Sequence, residues 1–106
     1  MANIYQGPDS CYGMFERIYV PGRGVTARNV KHFIALILRD LRRGWTYDHQ
    51  CRRIPMDKRL AEKRLLYLVP LAKRHTRDVK QVWAVREAVL DALAKIGATK
   101  KRAVLA

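Results

Sequence analysis

Apolar residues recur every three or four positions in several stretches of the chain, and this spacing predicts helices. In the first stretch, between Thr26 and Gly44, they form one stripe along a helix. Threonine is a common N-terminal cap, and a glycine just past the last turn is typical of a helix C-terminus. The pattern therefore predicts an amphipathic helix over residues 27–43, with a stripe formed by Val30, Phe33, Ile34, Ile37, Leu38 and Leu41.

Two further long patterns follow. One begins at Lys58 after a capping Asp57, and we expect Pro70 to end or kink that helix. Its inward positions are Leu60, Ala61, Leu65 and Leu68. The other begins after Thr76 and closes at Gly97. Its broad apolar stripe over residues 79–96 includes Trp83, and we expect it to be buried in the domain or to form the seam of a homodimer or larger assembly.

A short polar run separates the first two long patterns. Thr46 is suited to cap a short helix over residues 47–53. That helix would end before Pro55, because the residue preceding a proline disfavours helical backbone angles. The sequence therefore predicts a short helix between two longer ones.

The ends of the chain differ from its centre. Residues 1–25 predict an irregular arm and turn, in which residues 14–20 permit a short strand. Residues 98–106 predict a basic C-terminal tail. The chain as a whole is predicted to be all-α, a small bundle of three to four helices over residues 26–97 with an irregular N-terminal arm.

Charge is the most unusual property of the chain. Its 106 residues suffice for one domain, and they contain 22 Lys and Arg against nine Asp and Glu, a net charge of +13. A fold does not need this excess, because like charges oppose compaction. The excess indicates a polyanionic partner. Nucleic acid is favoured through phosphate contacts and counterion release, and an anionic membrane surface or an acidic protein is the alternative.

Candidate chemistry for catalysis is sparse. The two cysteines, Cys11 and Cys51, form no CxxC motif, and the three histidines are scattered along the chain. We therefore expect no catalytic residues, no metal site, no cofactor and no enzymatic activity. The apolar runs are too short to insert into a membrane, and the N-terminus lacks a secretory signal. The expected location is cytoplasmic, with an organelle interior left open.

Basic side chains recur on the polar faces of the predicted helices and in the turns between them. We expect them to contact phosphates. The candidates are Arg28, Arg39, Arg42, Arg43, Arg52, Arg53, Lys58, Arg59, Lys63, Arg64, Lys73 and Arg74. Trp45 and Tyr47 lie beside several of these arginines and could stack on unpaired bases. A tryptophan in such a turn more commonly fills the core.

The stretch from Gly44 to Asp57 resembles the turn and flanking helices of helix-turn-helix DNA-binding domains. The resemblance covers about residues 33–66, and its matching positions are Gly44, Thr46, Cys51, Ile54, Met56 and Asp57. Two residues depart from the family's pattern. Gln50 stands where the family has a buried aliphatic residue, and Pro55 stands where it has a turn glycine.

The resemblance implies a recognition helix that begins after Asp57. The side chains that would then face the major groove are Lys58, Arg59, Glu62 and Lys63. Those that would hold phosphates are Arg39, Arg42, Arg52 and Arg53.

These observations predict a small basic nucleic-acid-binding protein, namely a DNA-binding protein with an accessory or regulatory role, and the resemblance adds a possible helix-turn-helix. Two alternatives stay open. One is a structural RNA- or protein-binding subunit of a larger ribonucleoprotein or effector complex. The other is a small phage- or plasmid-type inhibitor that binds an acidic partner protein. The charge pattern does not distinguish DNA from RNA.

Overall fold

Three helices dominate the computed structural model, which describes residues 19–20, 24–48 and 52–98. They are α1 (Ala27–Arg43), α2 (Lys58–His75) and α3 (Val79–Lys95). Each helix packs against the other two. The prediction of a mostly helical bundle is therefore confirmed. No helix among the described residues is long and apolar enough to cross a lipid bilayer.

In the described part of the chain, four short strands accompany the helices as two antiparallel pairs. Strand β1 (Tyr19–Val20) pairs with β2 (Gly24–Val25), so a strand lies at the end of the predicted run 14–20. Strand β3 (Trp45–Tyr47) pairs with β4 (Arg53–Pro55). The rest of the predicted arm, at residues 1–18 and 21–23, and most of the predicted tail, at residues 99–106, lie outside the described residues.

The ends of α1 are those that the sequence predicts. The Thr26 hydroxyl accepts a hydrogen bond from the Asn29 amide at 3.3 Å, which satisfies one free N–H of the first turn. At the other end Gly44 adopts a left-handed conformation with φ of 84°. Its amide donates to the Asp40 carbonyl at 2.9 Å. Local capping chemistry thus fixes both boundaries of this helix.

Helix α2 excludes one of the two outcomes expected at Pro70. Its N-terminus is capped as expected, because the Asp57 carboxylate accepts from the Leu60 amide at 2.8 Å. The helix does not end at Pro70 but continues to His75. Leu68, Val69, Leu71 and Ala72 are buried around the exposed proline. Burial of these side chains outweighs the backbone hydrogen bond that proline cannot make.

The start of α3 corrects another prediction. Asp78, rather than Thr76, caps this helix, since its carboxylate accepts from the Lys80 amide at 2.9 Å. Thr76 instead closes α2, donating its amide to the Ala72 carbonyl at 3.0 Å. Helix α3 therefore begins two residues later than the sequence pattern predicts.

The largest correction concerns the predicted helix over residues 47–53. Trp45–Tyr47 and Arg53–Pro55 form strands β3 and β4, and residues 49–51 lie outside the described residues. Aromatic and β-branched side chains favour this extended conformation. Thr46 is buried and its hydroxyl bonds Asp40, so it does not cap a helix. A helix-turn-helix motif needs a helix here, and that interpretation of the stretch is wrong.

The apolar core lies where the three helices meet. Its most buried members are Val30, Phe33, Ile37, Ala61, Leu65, Leu68, Val85, Val89 and Leu93. On α3 the buried face follows Val85, Val89 and Leu93, whereas Val79 and Trp83 are 65% and 49% exposed. The broad stripe predicted over residues 79–96 is therefore only partly core. An assembly seam along its exposed edge stays a prediction.

We expect Gly44→Ala to lower the free energy of unfolding by about 1–2 kcal/mol, because an L-residue is disfavoured at positive φ. A Cβ at this position would meet no atom within 4 Å, so the cost comes from the backbone alone. Gly44→Asn should recover part of the loss, since asparagine tolerates this conformation. Urea unfolding followed by circular dichroism measures both. An alanine variant as stable as the parent would contradict the proposed cap.

Candidate nucleic-acid interface

Asp40 is the centre of a buried polar network between α1 and the β3–β4 hairpin. The residue is only 4% exposed. Its Oδ1 atom lies 2.6 Å from Arg39 Nη2 and 3.0 Å from Arg43 Nη2. Its Oδ2 atom accepts a hydrogen bond from the Thr46 hydroxyl at 2.7 Å. Two arginines that the sequence assigns to phosphates are therefore bound to the protein's own carboxylate.

Arg64 extends the network to α2. Its Nη1 donates to the Thr46 hydroxyl and its Nη2 to the Tyr47 carbonyl, both at 2.8 Å. Burial lowers the pKa of the Arg64 guanidinium below its ordinary value, and the carboxylates of Asp40 and Asp48 oppose that shift. Arg64 therefore joins α2 to the hairpin, a structural role that the sequence does not indicate.

Trp45 is held between two guanidinium groups. The central guanidinium carbons of Arg43 and Arg53 lie 3.4 and 3.8 Å from its ring centroid. At these distances the two groups cannot share one face of the ring without overlapping, so they cover opposite faces. The Tyr47 ring approaches with its centroid 5.6 Å away at 87°. A base could stack on Trp45 only by displacing an arginine, and Trp45 is not part of the apolar core.

The twelve predicted phosphate contacts divide into two sets. Six are engaged within the protein: Arg39, Arg43, Arg52, Arg53, Lys58 and Arg64. For example, Arg52 Nε pairs with the Asp48 carboxylate at 2.9 Å, and Lys58 Nζ donates to the Gly97 carbonyl at 3.0 Å. The other six, here called the outward cations, are exposed and form no ion pair with a described acidic residue. They are Arg28, Arg42, Arg59, Lys63, Lys73 and Arg74.

The acidic side chains explain why the outward cations stay uncompensated. Asp40 and Asp48 are paired with arginines inside or beside the hairpin. Asp57 and Asp78 cap α2 and α3. Asp91 pairs with Lys95 on α3 at 3.2 Å. Five of the seven acidic residues in the described part of the chain are thus engaged elsewhere, and positive charge dominates the outer faces of α1 and α2.

The outward face of α1 is opposite its buried stripe. Arg28 and Arg42 are exposed there, and Lys31 joins them. The sequence prediction omitted Lys31, although its spacing from Arg28 places both on one side of a helix. Two further exposed cations, Arg77 and Lys80, lie near the start of α3 and so outside the faces of α1 and α2.

The outward face of α2, here called the α2 face, combines charge with apolar surface. Arg59 and Lys63 lie toward its N-terminal end, and Lys73 and Arg74 lie toward its C-terminal end. Tyr67, between them, is 43% exposed. A surface depression of about 510 Å³ beside it is lined by Leu60, Lys63, Arg64, Leu66 and Tyr67. The sequence prediction missed Tyr67 because an aromatic residue within an apolar pattern is usually core.

The same surfaces offer no arrangement typical of a metal centre. Among the described residues, no three His, Cys, Asp or Glu side chains are grouped as metal ligands. His49, Cys51 and Cys11 lie outside them. The candidate interface is therefore defined by exposed cations on α1 and α2 together with Tyr67.

No protein-family model matches the chain, and neither a curated protein nor a solved structure matches it.

Proposed function

We propose that this protein binds nucleic acid without catalysis, through the outward basic faces of α1 and α2. The observation that supports this most directly is the division of charge. The protein's own carboxylates pair with one set of arginines or cap helices, and six exposed cations are left without an acidic partner among the described residues. A polyanion supplies the missing countercharge.

The arrangement suits recognition of a phosphate backbone. The outward cations project from two helices that are packed on one core, so their spacing is held by the fold and not by loops. Contacts of this kind fix the position of a nucleic acid and contribute most of the non-specific affinity. These contacts do not distinguish one base sequence from another. The proposed binding is therefore governed by charge and by the shape of the two helical faces.

Salt dependence tests this proposal. If all six outward cations contact phosphates, the logarithm of the association constant should fall with log salt at a slope of about −4 to −5. Fluorescence anisotropy with nuclease-treated protein and labelled DNA and RNA, over about 50 to 200 mM salt, measures the slope. Absence of binding at the lowest salt, or a slope near zero, would contradict the proposal.

A pull-down performed with and without nuclease distinguishes DNA binding, membership of a ribonucleoprotein and binding to an acidic protein. A DNA-binding accessory protein should recover DNA, and a ribonucleoprotein subunit should recover RNA together with its neighbours. Retention of one acidic protein after complete nuclease digestion would instead indicate the inhibitor alternative and overturn nucleic-acid binding as the function.

A further inference from the structure

We infer that the α2 face contains a base-stacking site for single-stranded nucleic acid, with Tyr67 as its platform. This inference depends on the proposed function and adds the type of strand that is bound. The sequence pattern offers Trp45 and Tyr47 as candidates for stacking. The geometry transfers that role to Tyr67.

Tyr67 offers what Trp45 does not. It is 43% exposed, and no described ring or guanidinium packs on it, whereas the Trp45 ring is covered by Arg43 and Arg53. Leu60 and Leu66 beside it line the depression and give an apolar floor. An exposed ring beside a concave apolar surface can receive the face of a base, because every base presents a π-face.

Cations flank the ring along the helix. Lys63 is one turn before Tyr67, and Arg74 is two turns after it, with Pro70 between them. At about 1.5 Å per residue, Lys63 lies about 6 Å and Arg74 about 10 Å from Tyr67 along the axis. All three side chains are exposed on the same side of α2. A strand that runs along the helix could place phosphates on both cations and a base on the ring.

Charge favours a nucleic acid over a protein at this surface. Glu62 is the only acidic residue within α2, whereas Arg59, Lys63, Lys73 and Arg74 are all exposed cations on that helix. An apolar protein partner would have to bury or displace these cations at a cost in desolvation. A single strand supplies phosphates for the cations and a base for the ring. A duplex keeps its bases stacked inside, so it can use the cations but not Tyr67.

Substitution at Tyr67 tests the inference. We expect Tyr67→Ala to weaken binding of a single-stranded oligonucleotide by about tenfold or more. Duplex affinity should be nearly unchanged, since duplex contacts are to phosphates. Tyr67→Phe keeps the ring and should bind single strands like the parent. Val79→Ala is the matched control, because it removes exposed apolar surface from α3 instead. Photocrosslinking of a thionucleotide-substituted strand should label the peptide that contains Tyr67.

The outcomes separate this inference from the proposed function. Equal loss of single-strand and duplex affinity in Tyr67→Ala, or no loss in either, would overturn the stacking site while salt-dependent binding stands. Absence of any binding by the parent protein at low salt would overturn both. A circular dichroism spectrum identical to the parent's excludes misfolding as the cause of a loss.

Discussion

Replacing Asp40 with alanine is expected to lower the free energy of unfolding by about 3–5 kcal/mol, which is the usual cost of removing one partner from a buried charge network. The carboxylate is the common partner of Arg39, Arg43 and Thr46. Without it, the Arg43 and Arg64 guanidinium groups keep their burial but lose a negative charge that stabilises them. The Thr46 hydroxyl also loses its acceptor, which adds a desolvation cost.

Chemical denaturation measures the effect, and two further variants show whether it comes from the buried network. Asp40→Asn keeps an acceptor for Thr46 but removes the charge. Its free energy of unfolding should therefore fall between those of the parent and the alanine variant. Asp91→Ala is the control, because that carboxylate also pairs with a cation but on the surface of α3. Its loss should be under about 0.5 kcal/mol. If Asp40→Ala costs no more than Asp91→Ala, the network does not stabilise the hairpin.

Local signals made much of the helical framework predictable. Thr26 and Gly44 act through atoms within a few residues of themselves, and both ends of α1 lie where these residue types predict them. Asp57 fixed the start of α2 in the same way. The buried side of α1 also followed from its spacing alone, since Val30, Phe33 and Ile37 are in the core.

Interactions between distant positions were not predictable in the same way. Thr46 is a good cap by residue type, yet its hydroxyl is used by Asp40 and by Arg64, which is 18 positions away. Residue type alone favours an end or a kink of α2 at Pro70, and tertiary packing excludes the end by carrying the helix on to His75. For the charged residues, counting arginines could not show that Asp40 pairs with Arg39 and Arg43 rather than leaving them for phosphates.

The second large effect is expected from removing three outward cations together. The triple variant Arg42→Ala, Arg59→Ala, Lys63→Ala should bind nucleic acid about 50- to 150-fold more weakly at about 0.15 M salt, given a slope of about 0.7 to 0.9 per phosphate contact. The salt slope should become shallower by about two to three. All three side chains are exposed and carry no ion pair with a described carboxylate, so the fold should be unaffected.

A control with the same change in net charge separates a defined interface from general attraction. Arg77→Ala, Lys80→Ala and Lys95→Ala remove three exposed cations from α3 and the connection before it. If binding occurs on the outer faces of α1 and α2, this variant should retain most of the affinity and nearly the parental salt slope. Equal losses in the two triple variants would mean that the net charge of +13 acts diffusely. In that case, the division of the basic side chains into internal and outward sets would bear on the stability of the fold and not on where nucleic acid binds.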